Sequence, residues 1–297
     1  MNRKNAILIV IIIILSIGVG FGVYKIIQIE KPKAQTENVV VEKPKEKEEV
    51  VIEQVKLDDK INSYLKDNGI KKGEVGIYIH NFKNNEEYVN NIDANFVAGS
   101  TYKLPLAILY YEAINNGSRS LSDTIYYDDS FNDDGDITMV NSNHYTNTVI
   151  DLKTLLSYLI VYSDNTAGNM LYDDLGGWAT FREVINKYKD KNDASIVSYE
   201  NEFTAKYMNS VLNYLYNNAS SYETLISDLK LAENDNYLKK YVNVEIAQKY
   251  GLYGNAVSTV GIVYGNQPYS IVIYTNLGEE GKEHIANINK ITYEYFG

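Results

Sequence analysis

The 297-residue sequence predicts an α+β fold, with one antiparallel sheet assembled from both ends of the chain and an all-α lobe inserted between them. Three observations carry this. Val75-Gly76-Ile77-Tyr78-Ile79 alternates like a half-buried strand near the front. Residues 257–264 and 269–275 read as two strands around the turn residues Gly265-Asn266-Gln267-Pro268, a hairpin near the end. Between them, from about 104 to 240, the apolar residues recur at helical spacing. The boundary of such a lobe is a usual place for a cleft and a site.

Taken in order, the chain opens with residues 6–24 (AILIVIIIILSIGVGFGVY), uncharged and apolar. About 19 residues at roughly 1.5 Å each span about 28 Å, close to a bilayer core of about 30 Å. Arg3 and Lys4 precede the run, which favours an N-terminus inside and the remainder outside. A cleaved signal peptide is the rival, but its apolar region is usually shorter and has a small-residue exit. We therefore expect residues 1–28 to be a membrane signal anchor. Residues 29–55 are rich in Lys and Glu, contain Pro32 and Pro44, and read as a disordered charged stalk. Fully extended, it would reach roughly 90 Å. Folded sequence, 56–297, begins with a helix at 57–66 that turns Ile61 and Leu65 inward. The strand at Val75 follows, with Asn84-Asn85 as the turn into a short partner.

A helix opened by Ser100 is expected to stop at Asn115-Asn116-Gly117. The acidic stretch from Asp128 to Asp136 brushes against a calcium loop. Placing Gly135 at that loop's glycine puts Ser130 and Asn141 where its terminal carboxylates belong, so a solvated loop is the better reading. Residues 150–162 predict a buried helix that runs into Ser163-Asp164-Asn165. Further helices are predicted through Met170 to Gly176-Gly177, and over 178–188, 204–217 and 222–232. Val242-x-Val244-x-Ile246 alternates and places Ala247, Lys249 and Gly251 on the opposite strand face. Residues 278–295 close the chain as an amphipathic helix.

Composition narrows the chemistry. The net charge of −11 offers no electrostatic footprint for nucleic acid. The absence of cysteine removes disulfides, thiol nucleophiles and cysteine metal sites. His80, His144 and His284 are far apart in sequence and fit no zinc spacing, and no nucleophile-elbow sequence supports a Ser-His-Asp triad. No metal or organic cofactor is implied.

The chemistry centres on Ala98-Gly99-Ser100-Thr101-Tyr102-Lys103-Leu104-Pro105. Pro105 is tolerated only near a helix N-terminus, so the helix begins close to Ser100. Residues i and i+3 share a helix face, which sets Lys103 beside Ser100. The positive end of the helix favours an alkoxide at the serine, while dipole and burial push the amine towards acting as a base. By itself the spacing is weak, since Ser63/Lys66 and Ser227/Lys230 share it. Ser163-Asp164-Asn165 reads equally as plain capping. Only one set, however, falls in the order S-x-x-K, S-x-N, K-x-G, with Lys249-Tyr250-Gly251 as its last member.

In these motifs the chain resembles the penicillin-recognising serine enzymes, most closely the class A β-lactamase-like family. AGSTYKLPLAI, YSDNTAGNML followed by DLGG, NEFTAKYM and STVGIVYG carry the likeness from about 57 to 297. The resemblance implies a three-layer α/β/α, β-lactamase/transpeptidase-like fold and a monomeric, extracellular serine hydrolase domain. It implies Ser100 as nucleophile, Lys103 as base and Ser163 as proton relay. Asn165 would bind the substrate's side-chain amide, and Lys249 would hold its carboxylate. The oxyanion would rest on the backbone N–H groups of Ser100 and Leu252, with Gly251 between the lysine and that donor. Two departures stand out. The family's loop glutamate, followed by an Asn, has no counterpart in E-x-x-x-N form in 191–202, where Glu200 and Glu202 are the available carboxylates for deacylation. Tyr250 replaces the usual Thr. The substrate so implied is a β-lactam, with slow turnover. A D,D-carboxypeptidase acting on acyl-D-Ala-D-Ala wall peptides is the alternative, and a non-catalytic wall-binding module, for which the 28 tyrosines would offer stacking surface, is the contrasting class.

Overall fold

Five antiparallel strands form the sheet, and its order shows the two ends of the chain meeting. Val75–Asn81 (β1) and Glu87–Asn90 (β2) come from the front; Glu245–Tyr253 (β7), Ala256–Tyr264 (β8) and Tyr269–Thr275 (β9) come from the end. The order is β2-β1-β9-β8-β7, and β1 lies on β9 with Val75 opposite Thr275 and Asn81 opposite Tyr269. The computed structural model describes residues 55–133, 138–191 and 200–297. The expected anchor and all of the stalk but its last residue lie outside the described residues, among which no helix is long and apolar enough to cross a membrane.

The period-2 pattern of the central strands separates two cores. Ile271 and Ile273 face one side, where Leu57, Ile61 and Leu65 of the helix Leu57–Asp67 (α1) pack with Ile285, Ile288 and Phe296 of Glu280–Phe296 (α9). Val272 and Tyr274 face the other side and join the core of the helical lobe. That lobe contains Lys103–Asn115 (α2), Met139–Asn143 (α3), Leu152–Val161 (α4), Asn165–Asp174 (α5), Gly177–Val184 (α6), Ala205–Asn217 (α7) and Glu223–Leu231 (α8). The fold is therefore the expected α+β type, with helices on both faces of an antiparallel sheet. Helix α2 stops as predicted: Gly117 takes φ 78°, and the amides of Gly117 and Ser118 return to the carbonyls of Ile114 and Ala113.

The lobe is not purely helical. Thr124–Tyr127 (β4) and Thr148–Asp151 (β5) form a two-stranded sheet with Ile125 opposite Ile150. Ile150 thus belongs to a strand rather than to the predicted helix. Two features combine: pairing with β4 holds Ile150 in the strand, and the Asp151 carboxylate accepts the Thr154 amide at 2.9 Å, an N-cap that starts α4 only at Leu152. Phe96–Val97 (β3) and Glu202–Phe203 (β6) make a second short ladder. The alternation at Val242 and Val244 precedes the ladder, whose first pair is Glu245 with Tyr264. In the acidic stretch Asp128 accepts the Ser130 amide and caps the 3-10 turn Asp129–Phe131, while residues 134–137 lie outside the described residues.

Candidate active site

Ser100 sits on the 3-10 turn Gly99–Tyr102, which runs directly into α2. The turn is pressed against strand β7 more tightly than any side chain would permit. A Cβ on Gly251 would stand 2.4 Å from the Ala98 carbonyl oxygen and 2.7 Å from the Ser100 nitrogen. A Cβ on Gly99, whose φ is +53°, would stand 2.6 Å from the Leu252 nitrogen. Glycine at both positions lets the backbones of residues 98–100 and 251–252 touch, with the Ser100 nitrogen packed against residue 251 and the Leu252 nitrogen against residue 99.

Lys103 opens the first turn of α2 and is fully buried. Its ammonium donates to the Ser163 carbonyl and to Asn165 Oδ1, each at 2.6 Å. Those acceptors are aimed by an unusual stop to α4. Ser163 takes φ +56°, the left-handed position that a glycine commonly fills, and the Asp164 amide returns to the Tyr158 carbonyl. Holding a serine there costs of order 1 kcal/mol or more. Asp164, buried between the two functional residues, accepts the Ala167 amide at 2.8 Å and the Val140 amide at 3.0 Å. It caps α5 and ties α3 to the motif.

Lys249 enters from the sheet. It is fully buried, and its Nζ donates to Ser163 Oγ and to the Tyr250 carbonyl, both at 2.9 Å. Burial pushes its ammonium well below the usual lysine range, the nearby Lys103 pushes it further, and Glu233 partly offsets both. Hydrogen bonds thus join Lys103, Ser163, Asn165 and Lys249, while Gly251 and Leu252 of β7 lie against the turn that carries Ser100. A cavity of about 410 Å³ adjoins this network, lined by Thr138, Met139, Ser142, Tyr162, Ser163, Asp164 and Asn165.

Glu200 and Glu202 line a separate cavity of about 340 Å³ with Val97, Asn201 and Tyr253. Glu202 stands opposite Val97 in the β3–β6 ladder, and Glu200 is exposed. Residues 192–199 of this loop lie outside the described residues. Asn201 went unnoticed in the sequence: its amide donates to the Gly99 carbonyl at 3.0 Å, and its own carbonyl accepts the Ala98 amide at 2.9 Å. Nothing in its sequence setting marks it, since the bonds depend on the β3–β6 pairing.

Residues 56–296 match the family model described as the Beta-lactamase enzyme family. The chain belongs to that family. A β-lactamase of Bacillus subtilis (strain 168) is 28% identical over 164 residues, 55% of this chain and 50% of that protein. The chain thus spans about half the length of the curated relatives it matches. Among solved structures, the extended-spectrum β-lactamase TLA-1 superposes with a TM-score of 0.71 at 22% identity, over 81% of this chain and 98% of that one. A mutant of PBP-A, solved as an acyl-enzyme complex with penicillin G, superposes with a TM-score of 0.69 at 19% identity, over 81% and 96%. These likenesses establish the β-lactamase/transpeptidase-like fold of this β-lactamase-family chain.

Proposed function

We propose that the chain is an extracytoplasmic serine hydrolase, held at the membrane by residues 1–28, that forms an acyl-enzyme on Ser100 with a β-lactam or an acyl-D-Ala-D-Ala-like amide. The observation that carries this is the convergence of two buried lysines on Ser163, one at its carbonyl and one at its hydroxyl, beside the glycine-lined contact at Ser100.

The steps follow from the positions. Lys103, as the free amine, takes the Ser100 hydroxyl proton while Oγ bonds the carbonyl carbon, and the carbonyl electron pair moves to oxygen. The amides of Ser100 and Leu252 hold that oxyanion. Removing one such donor typically costs about 2.7–4 kcal/mol. Collapse breaks the carbon–nitrogen bond; Ser163, polarised by Lys249, gives its hydroxyl proton to the leaving nitrogen and regains one from the protonated Lys103, which returns to the free amine. Asn165, fixed by Lys103, is placed to bond the substrate's amide. Deacylation needs a base for water. Glu200 and Glu202 are the candidates, and their placement at the β3–β6 edge supports slow turnover, as does the missing E-x-x-x-N pattern. That slow step also keeps D,D-carboxypeptidase action on wall peptides as the alternative, for which a membrane tether facing the wall is suited.

Intact-mass spectrometry of the purified full-length chain with benzylpenicillin tests the reading. A covalent adduct in the native chain and none in Ser100→Ala is expected. Neither adduct nor hydrolysis, with lactams or with acyl-D-Ala-D-Ala peptides, would overturn it.

A further inference from the structure

A lysine ammonium has three N–H donors; in Lys249 two have hydrogen-bond partners and an aromatic ring lies against the nitrogen. Two hydrogen bonds go to Ser163 Oγ and the Tyr250 carbonyl, both at 2.9 Å. The Tyr250 ring covers the ammonium, with its centroid 4.1 Å from Nζ, a close cation–π contact. The ring is not free to drift. It stacks on Tyr237 at 5.1 Å with the planes 16° apart, and Tyr237 is itself buried and held at φ +56°. Across the ladder, Thr259 pairs with Tyr250 and has no accessible surface, so its hydroxyl is closed to a ligand.

A carboxylate placed at Lys249 would have to displace the ring from its cation and break the stack with Tyr237.

We propose that Tyr250, backed by Tyr237, is a specificity determinant that occupies the seat of the substrate carboxylate, so that the cleft takes acyl donors with a neutral group next to the scissile bond in preference to anionic ones. This rests on the acyl-enzyme reading above and narrows it to acyl donors without the free carboxylate that penicillins and acyl-D-Ala-D-Ala ends carry beside the scissile bond. In that class Lys249 serves Ser163 alone, and binding comes from the oxyanion contacts and Asn165.

The test is the rate of Ser100 acylation by benzylpenicillin and by its methyl ester, followed by intact mass on the full-length chain and on Tyr250→Thr and Tyr250→Phe. The native chain should react with the ester at least as fast as with the acid. Tyr250→Thr should raise the acid-to-ester rate ratio tenfold or more, while Tyr250→Phe, which keeps the ring, should leave it within about threefold. A native preference for the acid of tenfold or more overturns the proposal, and so does an unchanged ratio in a folded Tyr250→Thr. Labelling by neither compound overturns the acyl-enzyme reading itself, and the selectivity with it. The ratio in the native chain decides the matter even where a variant does not fold.

Discussion

Adding one methyl group at Gly251 tests whether the contact between the nucleophile turn and strand β7 builds the oxyanion site. In Gly251→Ala the new Cβ would lie 2.4 Å from the Ala98 oxygen and 2.7 Å from the Ser100 nitrogen, whereas ordinary contact begins at 3.4 Å. These neighbours are backbone atoms, so no rotamer change relieves the clash. Turn and strand must part by about 1 Å, enough to carry the Ser100 and Leu252 amides out of register with a common oxygen. A displacement of that size costs on the order of 10²-fold in rate, in line with about 2.7–4 kcal/mol for a lost oxyanion donor. The sheet pairing beyond Gly251 remains, so the fold should survive with a lowered Tm. The assay is single-turnover acylation by an excess of β-lactam or its neutral ester, read by mass, beside circular dichroism. Acylation within threefold of the native rate, at an unchanged Tm, would refute the assignment of those two amides.

Lys103→Ala should slow acylation by about 10²–10⁴-fold, the usual range for a lost general base, with the helical signal retained; a rate within tenfold of native would assign the base elsewhere. Asp164→Ala strands the buried amides of Val140 and Ala167 and should cost about 2–4 kcal/mol, measured as a fall in Tm of roughly 5–15 °C by calorimetry. Asp228→Asn should stabilise the fold at pH 7.5. Burial raises the Asp228 carboxyl to about 6, only partly offset by Lys153, so the folded state holds a proton that the unfolded chain releases near pH 4, and stability falls as pH rises from about 4 through 6. With the side chain half-exposed, the gain is about 1–2 kcal/mol rather than the full shift, and it should vanish below pH 4 in urea titrations.

Much of this molecule is readable from local pattern. The alternation at Val75 and the hairpin around Gly265 are period-2 signals, and β1 and β9 do pair. Pro105 placed the start of α2 and Gly117 its end, because both residues act through their own backbones. The three motifs likewise named the residues that meet at Ser163. What local pattern does not contain is pairing between distant segments. Ile150 joins a strand because β4 lies beside it and Asp151 caps the next helix. Asn201 reaches Gly99 only once β6 has docked on β3. The substitution of Tyr250 was visible as a departure, but its covering of Lys249 depends on Tyr237, thirteen positions earlier, being held where the two rings stack.

The pairing of β1 with β9 also sets when the chain can become reactive. These strands lie about 190 residues apart in sequence, and β7, which supplies Lys249 and the Leu252 amide, joins the same sheet only through β8 and β9. Contacts of such separation form late, after the loop-closure entropy of the whole intervening lobe has been met. A chain emerging front-first therefore carries its serine for most of its synthesis without the partner strand that would arm it. Reactivity towards an acyl donor then reports completion of the fold, and a chain truncated before β7 should be chemically silent however well its helical lobe has collapsed.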